Sequence, residues 1–86
     1  MREYIKLSLP AIMNILISKR WSKPQIARAI GVSPLQVHYY TTGKTKNPNP
    51  VICMNIFKNI TIEGKAPLVD TYESYEELES HLKAFK

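Results

Sequence analysis

The stretch SKPQIARAIGVSPLQ, residues 22–36, uses one device twice: Ser22 with Gln25, then Ser33 with Gln36. In a Ser-x-x-Gln box the serine oxygen accepts from a first-turn N–H and the glutamine reaches back to the serine N–H, so each box marks where a helix starts. Gly31 falls between them, where a left-handed residue can end one helix and turn the chain sharply. Pro34 takes the first position of the second helix, where its missing N–H costs nothing. The pattern predicts a helix of about seven or eight residues, a turn of about three and a second helix of about eight.

The flanking segments read as follows. REYIKLSL alternates, which predicts a short half-buried strand with Ile5, Leu7 and Leu9 on one face, with a helix start as the rival reading. From Leu9 to Arg20 the pattern is helical, with Pro10 in the first turn, Ile12, Met13, Leu16 and Ile17 as the buried stripe, and Lys19 and Arg20 in the last turn. Asn49 and Pro50 open a further helix, in which Ile52, Ile56 and Phe57 face the core. Residues 60–70, β-branched around Gly64 and Lys65, suit a short hairpin whose Pro67 belongs at a sheet edge. Ser74 with Glu77 makes a third box, and the helix it starts carries Tyr75, Leu78, Leu82 and Phe85 as an apolar seam for dimerisation or packing. The expected fold is mainly α. It is one compact helix-turn-helix domain of four to five short helices, with a core over residues 9–59, an extension over 60–86 and a small antiparallel β element formed by the N-terminal strand and residues 60–70.

A chain of 86 residues buries only about 60 to 65% of its unfolded surface, so association would help it. No apolar run is long enough to span a bilayer, and the N-terminus lacks the pattern of a signal peptide, so a cytoplasmic protein without a membrane partner is expected. Cys53 is the one cysteine, which excludes an internal disulfide and suits a reducing compartment and a buried site. Charge is unevenly spread. Residues 1–58 carry Glu3 as their one acid and a net charge of +8, whereas residues 59–86 carry −3, for a total of +5. Such a division suits a body that binds a polyanion and an acidic tail that faces elsewhere.

Several chemistries are excluded. Gly43-Lys44-Thr45 ends like a phosphate-cradling P-loop, but the earlier glycine that loop needs is replaced by His38, and the flanking residues read as helix before and prolines after. His38 and His81 have no ligand spacing for a metal, and Glu76, Glu77 and Glu79 lie on a solvated helix face rather than as an acid–base pair. No nucleophile, base and oxyanion donor converge, so neither an enzyme nor a cofactor is expected.

The segment PQIARAIGVSPLQVHYYTTGKTKNP resembles the helix-turn-helix domains of phage repressors and Cro proteins. Ala27 stands where that family places a small residue at the helix crossing, and Gly31 stands in the turn. Ile26, Ile30, Val32, Val37 and Tyr40 fill its apolar offsets. The loop Gly43 to Lys46 before Pro48 is also similar to the loop with which phage repressors grip the DNA backbone. Those repressors often have glutamines where this chain has Pro34 and Leu35, so the base preference does not transfer.

The resemblance implies a sequence-specific double-stranded DNA-binding transcriptional regulator. It would act as a homodimer on a palindromic operator. Residue chemistry agrees. With Val37 and Tyr40 facing inward, the second helix turns Pro34, Leu35, His38, Tyr39 and Thr42 outward, an apolar and hydrogen-bonding face that a major groove accepts. No acid lies between Lys6 and Thr61, as a phosphate-facing surface requires. Ser22, Lys23, Arg28, Ser33, Thr42, Lys44, Thr45 and Lys46 are the candidates for phosphate contact, and Pro34, Leu35, Gln36, His38 and Tyr39 for base contact. Because Pro34 and Leu35 form no bidentate pair, recognition would lean on DNA shape. The alternative is a small protein of the same fold that binds another protein, such as a host enzyme or polymerase, through this apolar face or through its acidic C-terminal helix.

Overall fold

The computed structural model describes residues 3–45 and 47–85. Chain order is β1 (Tyr4–Leu7), α1 (Leu9–Ser18), α2 (Lys23–Ile30), α3 (Pro34–Thr42), α4 (Pro50–Asn59), β2 (Ala66–Val69) and α5 (Tyr75–Ala84). The result is a compact, mainly α domain with a two-stranded sheet that includes the N-terminal strand.

Every helix start carries a side-chain cap. The side-chain oxygens of Ser8, Ser22, Ser33, Asn49 and Ser74 each accept from a first-turn N–H, and a proline stands in the first turn of α1 to α4. These caps satisfy donors that helix geometry leaves unpaired, typically at a gain of about 1 kcal/mol each. The first box closes in both directions, with Gln25 Oε1 accepting from the Ser22 N–H. In the second, Ser33 caps the Gln36 N–H while the Gln36 side chain is hydrogen-bonded to the Tyr40 hydroxyl. In the third, Ser74 caps the Glu77 N–H and the Glu77 carboxylate accepts from the Glu73 N–H.

α1 ends at Ser18, so Lys19 and Arg20 lie past its last turn instead of in it. Arg20 adopts a left-handed conformation, φ 74°, and Trp21 donates its N–H to the Leu16 carbonyl, closing the helix as a glycine usually would. The half-buried Trp21 ring on the core holds the chain in this turn. α2 ends at Gly31, φ 82°. The turn to α3 then spans residues 31–33.

One core joins the elements. Leu9, Ile12, Met13 and Leu16 of α1 meet Ile26, Ala27 and Ile30 of α2, Val37 and Tyr40 of α3, and Cys53, Ile56 and Phe57 of α4. Each fully buried aliphatic side chain stabilises the fold by roughly 1.5–3 kcal/mol. Among the described residues no side-chain polar atom is buried without a hydrogen-bond partner. The expected apolar seam belongs largely to this core: Leu78 is fully buried, Tyr75 and Leu82 pack against it, and Phe85 is exposed.

The sheet is parallel, correcting the antiparallel expectation: Tyr4 pairs with Ala66 and Leu7 with Val69. A parallel pair needs a long crossover, and here the crossover is α1 to α4. The hairpin-like signal around Gly64 is spent on a tight turn, with Glu63 and Gly64 at φ 53° and 77° and Ile62 and Lys65 exchanging backbone bonds. The next four residues are then free to pair with β1. Ala66 and Asp70 donate N–H groups to Glu3 and Leu7, so Pro67, of opposite parity, loses no ladder bond. The face of β1 also differs from expectation. Tyr4 lies 6.1 Å from the Phe57 ring, while Ile5 is exposed, because the larger aromatic surface takes the place against the core.

Candidate nucleic-acid interface

The α2–turn–α3 unit is held from behind by asparagines. Asn55 and Asn59 of α4 donate side-chain N–H groups to the carbonyls of Ile30 and Ala29, at 3.1 and 2.8 Å, and so occupy acceptors that the end of α2 leaves free. Asn14 of α1 donates to the Thr41 carbonyl at 3.3 Å as well as to Pro10 at 2.8 Å. None of these three was singled out as a site residue from sequence. The available signal was a polar amide within an otherwise apolar helical stretch.

With its rear face fixed, α3 turns its other side outward. Pro34, Leu35, His38 and Thr42 are exposed and Tyr39 is half-buried. Leu35 is 58% exposed, the most of any large hydrophobic side chain among the described residues. Gln36 is turned toward Tyr40, whose hydroxyl burial pushes above the ordinary tyrosine range while the bond from Gln36 partly opposes that shift.

Four side chains of this face form a connected row. The Lys23 ammonium donates to His38 Nδ1 at 3.1 Å, the His38 ring stands 6.2 Å from that of Tyr39, and Lys44 Nζ lies 4.4 Å from the Tyr39 ring centroid. The first helical residue of α2 and the first loop residue beyond Gly43 thus bracket α3 with positive charge. The loop is tied down at one carbonyl: Tyr39 O accepts from the N–H groups of Gly43, Lys44 and Thr45.

The remaining phosphate candidates are placed less uniformly. Ser22 and Ser33 are exposed, with their oxygens engaged as caps. Their hydroxyl hydrogens are left for an acceptor. Thr42 donates its hydroxyl to the Tyr39 carbonyl at 3.2 Å, so it must rotate before it can donate outward. Arg28 is exposed in the last turn of α2, about 140° around the helix from Lys23, and the structure does not bring it into the row. Lys46 lies outside the described residues.

The electrostatics of the face follow from where the acids are. Lys6 pairs with Glu73 at 3.4 Å and Lys19 with Glu63 at 3.2 Å, and none of these four residues lies on α2 or α3. Among the described residues Lys23, Arg28 and Lys44 meet no carboxylate in an ion pair. An unneutralised cationic rim around an apolar and hydrogen-bonding ridge can hold a polyanion by charge and read it by contact. Among the described residues no group of His, Cys, Asp and Glu could hold a metal ion, and no helix is long and apolar enough to cross a membrane. No protein-family model, curated protein or solved structure matches this chain.

Proposed function

We propose that this chain is a sequence-specific double-stranded DNA-binding regulator in which α2 and α3 act as a helix-turn-helix. α3 enters the major groove, Lys23 and Lys44 meet the flanking phosphates together with Lys46, and Arg28 meets a phosphate further along. One observation carries the reading: an exposed ridge of Pro34, Leu35, His38 and Thr42 stands between Lys23 and Lys44, which meet no carboxylate in an ion pair among the described residues. A protein that needed only to stay soluble would favour charged side chains on that ridge. In a major groove, Leu35 gains thymine methyl contacts and His38 gains base-edge acceptors.

One recognition helix spans too few base pairs for specificity, so the active form is a homodimer on a palindromic site whose half-sites lie about 34 Å apart. Selection of bound sites from random duplexes tests class and symmetry together. A two-fold symmetric site is expected, with affinity falling as salt rises at a slope of about −0.9 per phosphate neutralised. Weak, sequence-blind binding at low salt would end the proposal.

The exposure of Leu35 also favours a second reading, in which the same ridge docks on another protein, such as a host enzyme or polymerase. That reading predicts shallow salt dependence and no preferred duplex.

A further inference from the structure

We propose that Lys23 holds the His38 imidazole in one tautomer and that the N–H so exposed reads N7 of a guanine in the major groove. This inference rests on the DNA-binding reading above and names the base contact within it.

An ammonium group donates hydrogen bonds and accepts none. Its 3.1 Å contact with His38 Nδ1 therefore requires a lone pair on that nitrogen and places the ring proton on Nε2. Were the proton on Nδ1, two donors would face each other at this distance. Nε2 is at the opposite edge of the ring, on an exposed residue, and has no hydrogen-bond partner among the described residues. Tyr39 and Lys44 limit the ring's freedom on the C-terminal side, since the two aromatic rings are 6.2 Å apart and Lys44 sits on the second of them. His38 thus offers the outside a single N–H donor of fixed direction.

A donor selects an acceptor. On the major-groove edge, guanine presents N7 and O6, both acceptors, whereas adenine presents N7 beside an N6 donor and cytosine presents a donor. Guanine is favoured over adenine by the group beside N7: guanine O6 is a further acceptor that attracts the N–H, whereas the adenine N6 amino group is a donor and opposes it. Pro34 and Leu35, earlier on the same ridge, supply only apolar contacts, and the Thr42 hydroxyl is engaged by the Tyr39 carbonyl, so His38 carries a large share of the discrimination. Lys23 acts here as a positioning residue whose effect passes through His38.

The test has two arms. In the free protein at pH 8, long-range proton–nitrogen NMR should show His38 in the Nε2–H form. Lys23→Met should give a tautomer mixture and Lys23→Arg, which keeps a donor, should restore the single form. A wild-type Nδ1–H form, or a pattern unmoved by Lys23→Met, overturns the role of Lys23. In the second arm each guanine of the selected duplex is replaced in turn by 7-deazaguanine, which lacks the N7 acceptor. At one position per half-site the replacement should weaken wild-type binding by about five- to tenfold, as expected for one hydrogen bond, and leave His38→Ala unaffected. Equal losses in wild type and His38→Ala at every guanine overturn this inference alone. Absence of any preferred duplex for the wild type overturns the DNA-binding reading along with it.

Discussion

Asn59 of α4 donates its side-chain N–H to the Ala29 carbonyl of α2 at 2.8 Å. With Asn55 on Ile30, this bond ties the end of α2 to a helix remote in sequence and so sets the angle at which α3 is presented. Asn59→Ala and Asn55→Ala should each cost about 1 kcal/mol in urea unfolding, the usual worth of one such bond. The larger loss is expected for Asn55, the less exposed of the two. Equal and negligible losses would mean that α4 holds α2 by apolar packing alone.

Gly31 is the position in the turn where a side chain is most costly. Its φ is +82°, and a Cβ there would stand 3.4 Å from Asn55 Nδ2. Gly31→Ala should lower stability by roughly 1–2 kcal/mol through the left-handed backbone. A lowered thermal midpoint with an unchanged circular dichroism spectrum is the expected result.

Leu35 separates binding from folding. Being 58% exposed, it contributes little to the core, so Leu35→Glu should shift stability by no more than about 0.5 kcal/mol. The same change sets a carboxylate against phosphate and should weaken duplex binding at least about tenfold. Intact affinity in this variant would move the DNA contact off α3.

Lys44 and Arg28 test the cationic rim. Each alanine variant should reduce the salt slope by about 0.9 per phosphate contact removed and weaken all duplex sequences alike. Lys44→Ala has a second expected consequence, altered ring signals from Tyr39, because it removes the cation 4.4 Å from that ring. A change confined to particular sequences would place the affected residue on a base.

Stability should decline in alkali. Burial pushes the Cys53 thiol up to about 11 from its ordinary 9.0, with the Tyr72 hydroxyl donating to the sulfur and partly opposing the shift. Between those values the unfolded chain has released a proton that the native chain keeps, so stability falls as pH rises. This contribution is fully present below about 9, is lost as pH rises through about 11, and totals on the order of 2 kcal/mol. The raised hydroxyls of Tyr40 and Tyr72 act with the same sign. Denaturant midpoints from pH 7 to 11 should show the decline, and Cys53→Ala should flatten it while lowering stability at neutral pH.

Much of the local structure was legible in the residues alone. Ser22, Ser33, Asn49 and Ser74 start helices where they were expected to, because a cap is a bond between a side chain and a backbone N–H a few residues on. The outward side of α3 followed from helical period once Val37 and Tyr40 were assigned to the core. The absence of acids across the α2–α3 region is a property of composition and needs no fold.

Other features were decided by contacts between residues far apart in the chain, which no local pattern encodes. The hairpin signal at Gly64 was real, yet whether Ala66–Val69 would fold back on its neighbours or pair in parallel with Tyr4–Leu7 depended on where four helices delivered it. Tyr4 displaced Ile5 from the core because Phe57 was there to meet it. The seam of Tyr75, Leu78 and Leu82 was absorbed by the protein's own core, and Lys23 met His38 only because the turn at Gly31 brings two helix faces together. Sequence determined where each helix begins and how it is charged, through interactions within a turn or two of chain. Tertiary structure decided which surfaces remained for a partner, because burial is settled by the whole set of elements competing for one small core.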